Sequence, residues 1–149
     1  MANVVWTPHV TVAAVIERAG RFLLVEEAGA PPLLNQPAGH WEPGETLIEA
    51  CVRETLEEAA HRFEPTSLVG VYRWQPPESA TTYLRFAFCG TLHEALDRPL
   101  DRDIERIVWL STAEIRRARA RHRSPLLALC IEDYLAGRRY PLELITHVE

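Results

Sequence analysis

The chain has 149 residues, 47% of them apolar, and a formal charge of −5, which is the length and composition of one globular domain. That charge argues against nucleic-acid backbone binding as a main activity, and no apolar run approaches the ~20 residues of a membrane span. Cys51, Cys89 and Cys130 are odd in number and lie in apolar contexts, and the N-terminus lacks a basic-then-apolar signal pattern, so reduced core thiols in a soluble cytoplasmic protein are expected.

In chain order, His9 to Glu17 (HVTVAAVIE) and Arg21 to Glu27 (RFLLVEE) are β-rich, and Arg18-Ala19-Gly20 between them predicts a hairpin. Ala28 to Pro32 is a loop, and Leu33 to Gln36 a short strand leading into Pro37-Ala38-Gly39. Gly39 leaves its carbonyl approachable by a ligand. Thr46 and Glu49 form an S/T-x-x-E capping box that starts a helix just after Glu45.

A helix turns ~100° per residue, so with Glu54 at 0° Glu57 falls near ~300° and Glu58 near ~40°. Ile48, Val52, Thr55, Leu56, Ala59 and Phe63 fall between roughly 100° and 200°, which predicts a buried apolar face with the three carboxylates on the other. Like charges at these spacings repel, and a hard divalent cation (Mg²⁺ or Mn²⁺) would relieve them. A merely solvated acidic face is the alternative that three glutamates by themselves allow. Arg53 can pair with Glu49 or Glu57 at i±4.

Beyond the helix, Leu68 to Gln75 and Thr82 to Cys89 read as two strands around the turn-rich PPESA. In the second, Leu84, Phe86 and Phe88 are expected in the core, with Tyr83 and Arg85 on the other face. Arg98 to Asp103 is a polar loop and Ile104 to Leu110 another strand. Ser111 and Glu114 make a second capping box for a short Arg-rich helix. Ser124-Pro125 starts a last helix, running to about Ala136 with Gly137 as its stop. Strands interleaved with helices predict an α/β sandwich in a single domain, residues 1–149, with a C-terminal helical extension from about 124.

Gly39, five residues, Glu45, seven residues, Arg53-Glu54, two residues, Glu57-Glu58 matches the Nudix box, Gly-x5-Glu-x7-Arg-Glu-U-x-Glu-Glu-x-Gly-U with U apolar. The chain therefore resembles a Nudix hydrolase. It departs from the box at Thr55, Ala60 and His61, all off the carboxylate set. HVTVAAVIE, NQPAGHWE, YLRFAF, the Asp-Ile-x-x-x-x-Trp segment and RSPLLALCIEDYLAGRRYPLELI further resemble the NudJ-type phosphatases over nearly the whole chain.

The resemblance implies an α/β/α sandwich with a mixed β-sheet between helices. It implies hydrolysis of phosphoanhydride bonds in nucleoside di- and triphosphates and in thiamin-precursor (HMP) or thiamin diphosphates, releasing orthophosphate. It places metal ligands at Gly39, Glu54, Glu57 and Glu58, with Asp103 or Glu105 as an added acid, and makes Glu45–Arg53 a structural pair. Glu54, Glu57 and Arg53 form the catalytic set, Glu54 doubling as the base. His40, Tyr72, Trp74, Tyr83 and Arg85 are candidate substrate contacts, against the alternative that the aromatics pack and His40 orders its loop. The expected partner is a small-molecule di- or triphosphate, as a monomer or a homodimer. Rival readings are an ADP-ribose or nucleoside-diphosphate-sugar pyrophosphatase, and a non-catalytic Nudix domain that binds a nucleotide or a protein partner.

Overall fold

The computed structural model describes residues 3–149. β1 (His9–Val15) runs into β2 (Glu17–Arg18), which pairs antiparallel with β3 (Arg21–Glu27). Ala19 and Gly20 both take positive φ, 51° and 78°, the geometry a two-residue hairpin needs to match strand twist. β4 (Leu33–Asn35) and β5 (Ala38–His40) lead to α1 (Leu47–Ala59), where both hydrogen bonds of the Thr46/Glu49 capping box are made. Ala60 takes the left-handed turn (φ 52°) that closes α1, so the helix exits as though a glycine stood there.

β6 (His61–Trp74) and β7 (Tyr83–Ala95) form a long hairpin, each strand longer than the sequence suggests because β-bulges carry the pairing past Glu64-Pro65. β8 (Ile104–Ser111) and α2 (Thr112–Arg117) follow, and α2 has its own capping box. Ser124 Oγ accepts from the Leu126 amide at the start of α3 (Leu126–Leu135).

One sheet has the order β5-β1-β7-β6, with β1 and β7 parallel and the other pairs antiparallel. In the second, β3 pairs with β8 along one edge and with β2 and β4 on the other. Alternation along β1 divides the core. Val12, Ala14 and Ile16 pack under α1 with Phe63 and Phe88, whereas Val15 packs with Ala87, Cys89 and the α3 residues Leu127 and Ile131. Helices therefore flank a mixed sheet, as expected. All three cysteines are buried and unpaired.

Two expectations need correction. The buried positions of α1 are Leu47, Ala50, Cys51, Glu54, Thr55 and Ala59, an arc from about −40° to 140° on the same wheel, which contains Glu54 instead of opposing it. Ile48, Val52 and Leu56 are only half-buried and line an open apolar groove with Phe63, Pro65 and Leu96. Apolarity misplaces the face because the helix turns two carboxylates inward. The second concerns β7. Both its faces are covered, and Arg85 is 6% exposed under the α3 layer.

Candidate active site

The site is assembled on the β5 edge. Val12 of β1 pairs with Gly39, which sets the Gly39 backbone directly against the Glu54 carboxyl group. A Cβ at Gly39 would overlap that carboxyl, so only glycine allows the approach. Glu58, one turn on, accepts from the Ala38 amide at 2.9 Å. Asp101 arrives from the loop before β8, its amide bonded to the Glu57 carbonyl at 2.9 Å. Glu54, Glu58 and Asp101 each offer an oxygen within 4.8 Å of the other two.

Arg53 locks this arrangement. Its Nε and Nη2 donate to the two oxygens of Glu45 at 3.0 and 2.8 Å, the bidentate pair the resemblance implies. Nη2 also donates to the His40 carbonyl at 2.9 Å, and Nη1 to Glu54 at 2.7 Å. Glu57 stands at the rim, 3.4 Å from Nη1 and outside the group of three. The Trp41 indole donates to the Glu45 carbonyl at 2.7 Å, so Trp41 orders the loop.

Electrostatics follow from burial. Burial pushes the Glu54 carboxyl up to about 7 against the pull of Arg53, with Glu57 and Asp101 adding to the rise. Burial pushes Glu58 up to about 8, opposed by the Ala38 amide and reinforced by Glu54, Glu27 and Asp101. Arg53 holds Glu45 below the usual carboxylate range. Carboxylates that repel one another in a partly dry place favour a counter-cation, and an all-oxygen donor set suits a hard divalent ion.

Beside the acids lies a cleft of about 430 Å³ lined by Gly39, His40, Trp74, Tyr83 and Arg85. The Trp74 and Tyr83 rings lie 5.9 Å apart at 26°, and His40 Nε2 is 3.1 Å from His9 Nδ1. Tyr72 does not line the cleft; its hydroxyl donates to Asp133 of α3 at 2.7 Å. Asp103 and Glu105 are exposed and outside the acidic group, Asp103 serving through its carbonyl, which accepts from the Ala28 amide.

Sequence reasoning missed Asp101, although RPLDRD holds two aspartates and only the fold selects between them. It also missed Glu27, Asn35, Arg123 and Ser124 in the cleft wall. An acid ending the apolar β3 run was the available signal for Glu27.

The NUDIX domain profile matches residues 7–130. The chain is 44% identical over 140 residues to the phosphatase NudJ of Escherichia coli K12, spanning 93% of this chain and 90% of that protein. The NudJ phosphatase of Shigella sonnei shows the same identity and coverage. A solved NUDIX hydrolase from Nitrosomonas europaea superposes with a TM-score of 0.92 at 52% identity, covering 95% of this chain and 98% of that one. An acid cluster seated on a glycine loop, a mixed sheet between helices and these likenesses agree: the chain belongs to the Nudix family of hydrolases.

Proposed function

We propose that this Nudix hydrolase cleaves the terminal phosphoanhydride bond of nucleoside di- and triphosphates and of thiamin-precursor (HMP) or thiamin diphosphates, releasing orthophosphate. The observation that carries the reading is the convergence of Glu54, Glu58 and Asp101 against the Gly39 backbone. The relatives' description as phosphatases favours orthophosphate release over the pyrophosphatase alternative.

The donor set fits Mg²⁺ or Mn²⁺: Glu54, Glu58, Asp101 and the Gly39 carbonyl would hold the ion, with Glu57 at the rim as a further ligand. Such an ion, when bound, screens the phosphate oxygens and lowers the pKa of a coordinated water. Glu54 accepts the water's proton, and Arg53 fixes that carboxylate in place. Trp74 and Tyr83 offer a wall for the ring of the substrate, with His40 between it and the acids. The whole chain acts as one domain, in the cytoplasm, with the start of α3 in the cleft wall through Leu126 and the segment after α3 packed against β6 and the start of α1. No helix among the described residues is long and apolar enough to cross a membrane.

The test is product analysis with thiamin diphosphate, CTP and ADP-ribose in Mg²⁺ and in EDTA. Orthophosphate from the first two, abolished by chelator, supports the reading. AMP with ribose phosphate from ADP-ribose alone, or full activity in EDTA, would overturn it.

A further inference from the structure

Glu26, Glu54 and Arg85 are the charged side chains most deeply buried. Glu26 lies between Arg106 and Arg121 at 3.3 and 2.9 Å, and Glu54 lies 2.7 Å from Arg53. Arg85 forms no ion pair among the described residues. Its Nη1 donates to the neutral amide oxygen of Gln36 at 2.9 Å. Its Nε is the one buried side-chain nitrogen or oxygen among the described residues with no partner. A guanidinium out of water with no counter-charge is strongly unfavourable, and it does not escape by losing its charge. The Cys130 thiol also lies against this guanidinium, and the unpaired Nε belongs to the Nε–Nη2 edge with which an arginine grips two oxygens of one phosphate.

Position narrows the ligand. Arg85 pairs with Thr11, and Thr11 with His40, so the three form one cross-strand row along the cleft. At about 4.8 Å per strand, the Arg85 backbone is roughly 10 Å from the strand that carries Gly39. The cleft wall thus holds two arginines, Arg123, whose Nε lies 3.4 Å from Glu27, and Arg85, which has no carboxylate partner, with the acid cluster at the β5 edge and the Trp74–Tyr83 pair beside them.

We propose that Arg85 is a metal-independent subsite for the phosphate that leaves, the α-phosphate of a ring-bearing diphosphate ester, while the terminal phosphoryl group lies at the acid cluster. This rests on the phosphoanhydride reading above. In the reaction, the water oxygen bonds to the terminal phosphorus and gives one proton to the base carboxylate. The bond from that phosphorus to the bridging oxygen breaks, and the bridging oxygen departs on the α-phosphate as a phosphate monoester. The negative charge that develops on this leaving group falls beside Arg85, which therefore grips transition state and product more tightly than substrate.

The experiment is calorimetric titration in EDTA with CMP and thiamin monophosphate, each against its dephosphorylated parent. At least one monoester binds ten-fold or more tightly than its parent, Arg85→Met removes that preference, and Glu54→Gln retains it. In Mg²⁺, Arg85→Met raises the product-inhibition constant of the same monoester and lowers kcat/KM. Its melting temperature stays level or rises, because an apolar chain replaces an uncompensated charge. If Arg85→Met melts early, Arg85→Lys decides: a ten-fold loss of monoester affinity sustains the forked subsite, and wild-type affinity overturns it. Equal binding of monoester and parent by the wild type, or an unchanged inhibition constant in Arg85→Met, also overturns it. A protein that binds monoesters through Arg85 yet hydrolyses no diphosphate keeps the subsite and loses the reaction. A protein that hydrolyses diphosphates with its inhibition constant indifferent to Arg85 does the reverse.

Discussion

Replacing Gly39 by alanine tests the seating of the acid cluster. The new Cβ overlaps the Glu54 carboxyl group, and ordinary contact between such atoms begins near ~3.5 Å, so something must shift by about 1 Å. The backbone resists, because β5 pairs with β1 on either side of Gly39 and the Ala38 amide is bonded to Glu58. Glu54 is held by one arginine contact, so its carboxylate moves. A displacement of ~1 Å at a reacting group costs about 10²-fold in rate, the fall in kcat/KM expected for Gly39→Ala. Overpacking should cost ~1–3 kcal/mol, at about 2–4 °C of melting temperature per kcal/mol. Gly44→Ala is the control: its φ of 83° makes alanine strained, but no atom lies within 4 Å. It should lose ~1–2 kcal/mol and keep its activity. The assays are thermal melts in EDTA, Mn²⁺ titration and turnover in Mg²⁺. Wild-type turnover and Mn²⁺ affinity in Gly39→Ala would refute the seating of Glu54 on that backbone.

Asp101→Asn removes one charge from the acid group and should lower Mg²⁺-dependent turnover at least ~10-fold, while Asp103→Asn, outside the group, should leave it unchanged; the reverse ranking would return the added acid to Asp103. Glu54 and Glu58 are raised to about 7 and 8 in the folded protein, above the ~4.3 of an unfolded glutamate. A raised carboxyl contributes stability that is complete below the unfolded pKa and is lost as pH climbs through the folded one. Melts in EDTA should therefore fall from pH ~5 to ~8 relative to a Glu54→Gln, Glu58→Gln double variant, and saturating Mg²⁺ should reverse the fall; a flat difference would remove the buried acid pair. Val52→Asp, in the half-exposed groove, should cost ~1–2 kcal/mol, whereas Cys51→Asp, 1% exposed, should prevent folding; equal losses would mean α1 is turned the other way.

Local chemistry was the most legible part of the chain. Both capping boxes, the hairpin at Arg18-Ala19-Gly20 and the β3 boundaries follow from interactions a few residues apart, and they hold. The Glu45–Arg53 pair, by contrast, was implied by the family resemblance, and local spacing left Glu49 and Glu57 open as partners. What requires the third dimension was not legible. The rotation of α1 misreads because an amphipathic wheel assumes that charge faces water, whereas Glu54 is turned toward the β5 edge, against the Gly39 backbone and paired with Arg53. Asp101 differs from Asp103 by nothing in sequence, and is selected only by the bond from its amide to the end of α1. Tyr72 and Tyr83 look alike along their strands, yet the first is taken up by Asp133 and the second reaches the cleft. The covered second face of β7 depends on α3, about forty residues downstream, and no local pattern announces that cover.

The parallel pairing of β1 with β7, His9 opposite Tyr83, sets an order on maturation. The β2–β3 turn, α1 and the β6–β7 hairpin close over short spans and can form in microseconds. β1 waits for strands made much later, and closing so long a loop is entropically slow. Until it is flanked, HVTVAAV, apolar on both sides, is exposed on the emerging chain, a window in which self-association or a chaperone competes with completion. β5 is held in the sheet by its pairing with β1, so the seating of Gly39 against Glu54 is completed only when β1 is in place. In refolding, recovered turnover accordingly lags recovered helix and strand content. A stalled or half-folded copy lacks the assembled group of Glu54, Glu58 and Asp101.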